Sequence, residues 1–241
     1  MVRQIATGKI SSITKVNSYI YDIWIDLDSA LAFSAGQFIS LFINETESRA
    51  FSIASSPKVS IEQKKLRLIL GPHEEGLTIK MINTLKVGSD VKFRGPFGIF
   101  TFDRTIPDVN LIQDSKNLVF IATSTGIAPF LGMMEYLADT SYAGNVSIYF
   151  GVRYEKDIAF KADFEELAKK LKFEYYFHIS KPEMDFHESE RVKKGYVTQG
   201  VMEKQNSNDY CFICGSTNTV SGIGETLKQV GYKNIFFENY G

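Results

Sequence analysis

The chain has 241 residues, 44% of them hydrophobic, and a formal net charge of -1 from 27 Lys plus Arg against 28 Asp plus Glu. That length suits two modest cores, and near-neutrality leaves no field to gather nucleic acid or an anionic membrane, so a charged partner must be met by a local patch. With two cysteines, no long apolar run behind the start "MVRQIATGKI" and no segment of bilayer-spanning length, the expectation is a reducing compartment, the cytoplasm, and no membrane span.

The first half reads as short strands. In "SYIYDIWIDLD" the residues Tyr19, Tyr21, Ile23, Ile25 and Leu27 alternate with Ile20, Asp22, Trp24, Asp26 and Asp28, the two-residue period of a sheet with one buried face. "GQFISLFIN", "RAFSIAS", "KLRLILG" and "SDVKFRG" continue the pattern, punctuated by Gly36, Asn44, Pro57, Gly71 and Gly88. Only "EGLTIKMINTL" looks helical, with Leu77, Met81 and Leu85 on one stripe. An antiparallel β-barrel with one helix is expected over residues 1–104, ending near "GPFGIF".

After a polar joint at 102–117, broken by Pro107, the rhythm changes. "NLVFIAT", "VSIYFG", "FEYYFHI", "DYCFICG" and "NIFFE" are nearly continuous apolar runs, as in parallel strands covered on both faces. Helix-length amphipathic segments separate them: "IAPFLGMMEYLAD", "FKADFEELAKKLK", "VTQGVMEK" and "TVSGIGETLKQV". Residues 112–241 therefore predict a doubly wound α/β domain on a parallel five-stranded sheet, with ligands beyond the carboxyl ends of the strands.

Five stretches carry chemistry. In "RAFSIASSP" the Arg49 guanidinium suits a pyrophosphate, Phe51 on the same face suits a planar ring, and Ser52 on the other face suits a polar ring edge. The alternative is Arg49 paired with Glu45 or Glu47 and Phe51 in the core. In "EEGLTIK" the first-turn amides after Gly76, running through Leu77 to the hydroxyl of Thr78, offer an anion site or a plain helix cap. "ATSTGIAPF" follows a strand and opens a helix; Thr123, Thr125 and Gly126 there admit a dinucleotide phosphate, and Pro129 suits the first helical turn. In "CFICG" the cysteines, three apart on a strand, face opposite ways and cannot bond to each other; Cys211 reads as packing, while Cys214 and Gly215 reach the strand's ligand-facing end. The tail "FFENYG" brings Glu238 and Tyr240 to the same edge, with a frayed terminus as the plainer alternative. His73, His178 and His187 show no zinc-ligand spacing.

In this order the residues resemble the ferredoxin-NADP reductase superfamily over nearly the whole chain. "RAFS" is similar to that family's flavin-binding Arg-x-Tyr-Ser strand, with Phe51 for tyrosine; Gly76 and Thr78 correspond to its Gly-x-x-Ser/Thr element; "GPFG" stands unchanged at residues 95–98; "STGIAP" resembles "GTGIAP", with Ser124 for glycine; and "CGSTNTV" resembles its Cys-Gly strand end. The resemblance implies FAD in the barrel, bound by Arg49, Phe51, Ser52, Gly76, Leu77 and Thr78 with Tyr240 over the flavin ring. It implies NAD(P)H as substrate on Thr123, Thr125, Gly126 and Gly215. Ser52, Cys214 and Glu238 would line the point where a hydride passes to flavin. Arg153 and Lys156 in "GVRYEK" and Ser180 and Lys181 in "ISKPE" would hold a 2'-phosphate, which leans the expectation toward NADPH.

Electrons would then leave one at a time for a separate acceptor: ferredoxin, flavodoxin, an oxygenase component or free flavin. No Cys-x4-Cys-x2-Cys cluster motif is present, so the acceptor is expected from outside the chain. The basic strip "QKKLR" at residues 63–67 is a candidate docking surface or an ordinary solvated face. A non-catalytic flavin- or nucleotide-binding subunit, and an α/β binding protein without flavin, are the competing readings.

Overall fold

A computed structural model describes residues 5–71, 77–106 and 117–240. The chain divides into two compact units, one gathering Met1–Arg104 with Ala128–Asp139 and the other Thr105–Ile127 with Thr140–Gly241.

The first unit is built on β1 (Ile5–Lys15), β2 (Tyr21–Leu27), β3 (Phe38–Phe42), β4 (Ser48–Ser52), β5 (Lys65–Leu70) and β6 (Asp90–Phe97). They pair antiparallel in the order β4-β3-β6-β1-β2-β5. The two outer strands come together at one bridge, Ile53 to Leu68, beside which the Ala54 N–H donates to the Arg67 carbonyl at 2.8 Å. The alternation read in "YIYDIWIDL" is the reason: Ile23, Ile25 and Leu27 turn inward and join Ile10, Ile39, Leu66, Leu68 and Phe93 in one core.

Two details differ from the sequence expectation. The single helix, α2 (Leu77–Thr84), is accompanied by α1 (Pro57–Gln63) and a short α3 (Phe102–Thr105). The start signal of α1 is in the sequence, Ser56 followed by Pro57 at the first helical position, but the helix is too brief to show an apolar period. The "QKKLR" strip is not a free basic face. Arg67 is 6% exposed and grips Asp22 through Nε at 3.0 Å and Nη2 at 2.7 Å, while Lys65 pairs with Asp26 at 2.9 Å. A charged residue within an apolar run is buried because β2 pairs with β5 in a register that sets Trp24 opposite Arg67, with Asp22 on the same strand as its counter-charge.

The second unit carries β7 (Leu118–Thr123), β8 (Asn145–Val152), β9 (Lys172–Ile179), β10 (Val192–Lys194), β11 (Tyr210–Ser216) and β12 (Asn234–Tyr240), all parallel, in the order β10-β9-β8-β7-β11-β12. The sheet has six strands rather than the expected five, because β10 is only three residues long and leaves no apolar run. β7 is followed by α4 (Ile127–Asp139), which from Ala128 onward belongs to the first unit, and the second unit's own helices are α5 (Lys161–Ala168), α6 (Val197–Lys204) and α7 (Thr217–Gln229). Val197 and Val201 of α6 and Val220, Ile223 and Leu227 of α7 cover Val119, Ile121, Tyr149, Cys211 and Ile213 on one face. On the other, Phe164 of α5 packs on Phe173, Tyr175 and Phe177, and Phe212 lies between Phe120 and Phe236. Both faces being covered explains why these strands read as unbroken apolar runs.

His178, 3% exposed on β9 beneath Gly200 of α6, has a buried Nδ1 with no hydrogen-bond partner. Burial pushes its pKa down from 6.5 to about 4, with Glu188 opposing and Lys193 assisting. Between those two values the unfolded chain takes up a proton that the native ring refuses, so stability is full above pH 6.5 and declines as the pH falls toward 4. At about 1.4 kcal/mol per unit the full decline is on the order of 3 kcal/mol. Denaturant titrations from pH 7.5 to 4.5 will show a shallower acid decline in His178→Leu than in the parent; parallel profiles would refute the assignment.

Candidate functional site

In the first unit the predicted flavin-facing residues sit on β4. Its pairing with β3 sets Leu41 opposite Arg49, Ile39 opposite Phe51 and Phe38 opposite Ser52. Arg49 is exposed, and its Nη1 donates to the Ser48 carbonyl at 3.0 Å; Glu47, the alternative ion partner, accepts from Asn44 Nδ2 at 2.7 Å. Phe51 is half-buried against the barrel core, and the Ser52 side chain is buried. One strand thus presents a cation, part of an aromatic ring and a hydroxyl within four residues. Thr78 is half-buried in the first turn of α2, where Leu77 is the first residue. Gly76 lies outside the described residues.

The second unit gathers its predicted residues at one edge, because parallel strands all end there. β7 ends at Thr123, and one 3₁₀ turn, Ser124–Gly126, leads into α4. Ser124 is exposed and holds φ at 52°, the left-handed region that favours glycine, and Pro129 falls in the first turn of α4 as expected. Gly126 is buried against β11: a Cβ there would overlap the Cys214 carbonyl, just as a Cβ on Gly215 would overlap Thr123 Oγ1. The requirement for glycine at 126 therefore comes from β11. These contacts fall between β7 and β11, where the strand order reverses direction, the position at which open parallel sheets take their ligands.

On one side of this point lie Cys214, Glu238 and Tyr240. Parallel pairing sets Cys214 beside Glu238 and Ser216 beside Tyr240, so all four share a face. Burial pushes the Cys214 thiol far up; the hydroxyl of Tyr240 donates to its sulfur and partly offsets this, while Glu238 adds to the rise. The thiol is neutral. On the other side lie Arg153, Lys156, Ser180 and Lys181, just past β8 and β9. Ser180 N–H donates to the Val152 carbonyl at 3.0 Å and Lys181 N–H to the Arg153 carbonyl at 2.9 Å, carrying the ladder one step past the strands and setting the two cations side by side. Both are exposed, and Lys156 lies over the ring of Tyr154 at 5.3 Å. Tyr154 is a neighbour that sequence reasoning missed; its position in "GVRYEK", between Arg153 and Lys156, was the available signal.

Both expected cofactors find donor sets that suit them: a glycine-tight turn with backbone amides and two exposed cations for a dinucleotide, and the Arg49–Ser52 strand for a flavin. Cys211 and Cys214 are free thiols, and the described residues contain no group of three metal-ligating side chains. A hollow of about 500 Å³ at the other end of β8 and β9, lined in part by Asn117, Ser147, Lys172, Glu174 and Lys204, includes none of the predicted residues. Among the described residues no helix is long and apolar enough to cross a membrane.

Comparison with known proteins gives two family matches: the oxidoreductase FAD-binding domain over residues 7–102 and the oxidoreductase NAD-binding domain over residues 120–223. The chain is 29% identical over 228 residues to ferredoxin–NADP reductase B of Sorangium cellulosum, covering 88% of this chain and 86% of that one. It is 27% identical over 217 residues to the electron transfer component of toluate 1,2-dioxygenase from Pseudomonas putida, covering 87% of this chain but only 59% of that one. Among solved structures, a ferredoxin NADP+ reductase of Neisseria gonorrhoeae with bound FAD and NADP superposes with a TM-score of 0.79 at 18% identity, covering 98% of both chains.

The neutral, buried thiols predict low reactivity. Burial raises Cys211 to about 12, so at pH 8 both sulfurs are overwhelmingly protonated. A disulfide reagent at pH 8 will titrate two thiols per chain after denaturation and neither within minutes in the native protein; rapid native reaction at Cys214 would show an activated thiolate instead.

Proposed function

Because the chain belongs to the ferredoxin-NADP reductase superfamily, with an FAD-binding and an NAD-binding oxidoreductase domain, we propose that it takes a hydride from NAD(P)H onto bound FAD and hands the electrons to a separate acceptor. When bound, FAD accepts electrons in a pair and releases them singly. The observation that carries this reading is the convergence of Thr123–Gly126, Arg153 with Lys181, and Cys214 with Glu238 and Tyr240 along one edge of the parallel sheet.

On this reading residues 1–104 form the flavin domain and 112–241 the nucleotide domain. Arg49, with the backbone amides of Leu77 and Thr78 and the Gly76 expected beside them, would hold the flavin pyrophosphate, Phe51 would cover the ring system, and the Ser52 hydroxyl would meet its polar edge. Thr123, Thr125, Gly126 and Gly215 admit the nicotinamide dinucleotide. Cys214 offers the nicotinamide a neutral, polarisable surface rather than a nucleophile, and Glu238 orients the carboxamide. Tyr240 would supply the aromatic cover for the flavin ring. Catalysis would then be chiefly positioning.

Arg153, Lys156, Ser180 and Lys181 favour NADPH over NADH through its 2'-phosphate. Relatives described as electron transfer components of dioxygenases, and one described as a ferredoxin–NADP reductase, support an acceptor that is an oxygenase component or a ferredoxin; flavodoxin and free flavin complete the set to be screened. A reducing cytoplasm suits the two free thiols.

The purified protein will be yellow and its flavin bands will bleach on anaerobic addition of NADPH; a yellow protein that never bleaches would make it a non-catalytic binding subunit. A charge-assisted contact is worth about 1.5–3 kcal/mol, or roughly tenfold to a hundredfold in affinity. Arg153→Ala with Lys181→Ala will therefore raise the KM for NADPH at least tenfold while leaving that for NADH within twofold. Equal changes for the two nucleotides would remove the 2'-phosphate role.

A further inference from the structure

The hollow at the amino-terminal ends of β8 and β9 lies wholly within the second unit and shares no residue with the site proposed above. Parallel register gives it two levels. Leu118, Val146 and Phe173 pair across the sheet, so the residues one step earlier, Asn117, Asn145 and Lys172, stand level with one another; one step later come Val119, Ser147 and Glu174. Alternation turns both sets toward α6, whose last residue, Lys204, and Gln205 after it close over the hollow. Most of this wall is already fixed. Gln205 Nε2 donates to the Tyr149 hydroxyl at 2.7 Å and its Oε1 accepts from Asn117 Nδ2 at 3.1 Å, while the Asn117 backbone N–H donates to Asp209 at 3.0 Å. Glu174 accepts from the Tyr176 hydroxyl at 2.9 Å, and Lys204 lies 4.5 Å from the centre of that ring. Three groups are left over. Among the described residues, Lys172 has no ion-pair partner, the Asn145 side chain has no hydrogen-bond partner, and the Ser147 hydroxyl, on a residue only 4% exposed, is buried without one.

We propose that this hollow is a second binding site and that its ligand is a phosphorylated sugar, with phosphate between Lys172 and Lys204 and hydroxyls reaching Ser147 and Glu174. A buried hydroxyl that bonds to nothing costs stability, and a ligand hydroxyl is the partner it lacks. The volume of about 500 Å³ is that of a small-ligand site. Two ammonium groups against one carboxylate leave the lining cationic by one charge, which favours an anion over a neutral sugar and disfavours a metal ion. A planar ring would need an aromatic or apolar wall. The two apolar residues of the lining, Val146 and Phe173, alternate to the opposite side of the sheet, where the Phe173 ring packs on Phe164 and Tyr175. What remains facing the hollow is two lysines, one carboxylate, three amides and a hydroxyl, a set that suits a hydroxylated anion. The site is independent of the reductase reading.

The full chain, as purified, will be titrated calorimetrically with glucose 6-phosphate, ribose 5-phosphate and glycerol 3-phosphate, and with glucose and inorganic phosphate as the separate halves of the ligand. The expected result is one molecule of at least one phosphorylated probe per chain, bound about tenfold or more tighter than inorganic phosphate, with no binding of glucose in the same range. Lys172→Ala, at an exposed position, will weaken that binding about tenfold. Ser147→Ala will weaken it about threefold yet melt no lower than the parent, because the hydroxyl it removes has no partner in the unliganded protein. Lys181→Ala, past the carboxyl end of β9, will leave it within about twofold. Inorganic phosphate binding as tightly as every phosphorylated probe, binding unchanged in Lys172→Ala, or no heat from any probe up to about 10 mM would overturn the inference. None of these outcomes touches the bleaching of flavin by NADPH, which tests the reductase reading separately.

Discussion

The constraint on which the second unit's chemistry depends is a steric one between two pieces of backbone. Gly126 and Gly215 have no Cβ because the turn after β7 and the end of β11 press against each other, leaving space for Cys214's carbonyl on one side and Thr123's hydroxyl on the other. Two strand ends that close can expose their amides to a single ligand, and the reversal of strand order opens the sheet at that same place. Specific side chains are then distributed by register alone: cations past β8 and β9, and the thiol, carboxylate and phenol on β11 and β12.

Electrostatics follows burial in both units but with opposite outcomes. In the second, burial leaves Cys214, Cys211 and His178 neutral, so the sheet's interior carries dipoles and polarisable atoms rather than charge. In the first, Arg67 keeps its charge under burial because Asp22 meets it with two bonds and the Trp24 ring lies 5.6 Å away. The pair lies where the outer strands of the antiparallel sheet come together, so breaking it would leave one charge stranded at the seam.

Local pattern carried the reading of the fold a long way. Alternation in "YDIWIDL", apolar runs in the second half and the amphipathic stripes of α4 and α6 are all local signals, and α4 and α6 occupy the segments that periodicity marks. What stayed hidden was either too short or too distant. α1 and β10 are too brief to show a period, and the burial of Arg67 depends on Asp22, 45 residues away. At the site, topology explains why Cys214 and Glu238 share an edge, since parallel strands end together. The hydroxyl of Tyr240 on the Cys214 sulfur required the β11–β12 register, which no spacing in the sequence discloses.

The parallel sheet ends in two unequal borders. On the β10 side the last strand is three residues long, too short to template another chain. On the other, β12 runs seven residues and exposes Phe237 at 54%, interrupted by Glu238 and Asn239. A polar pair on the longer border breaks the apolar run that would otherwise favour strand-to-strand self-association there.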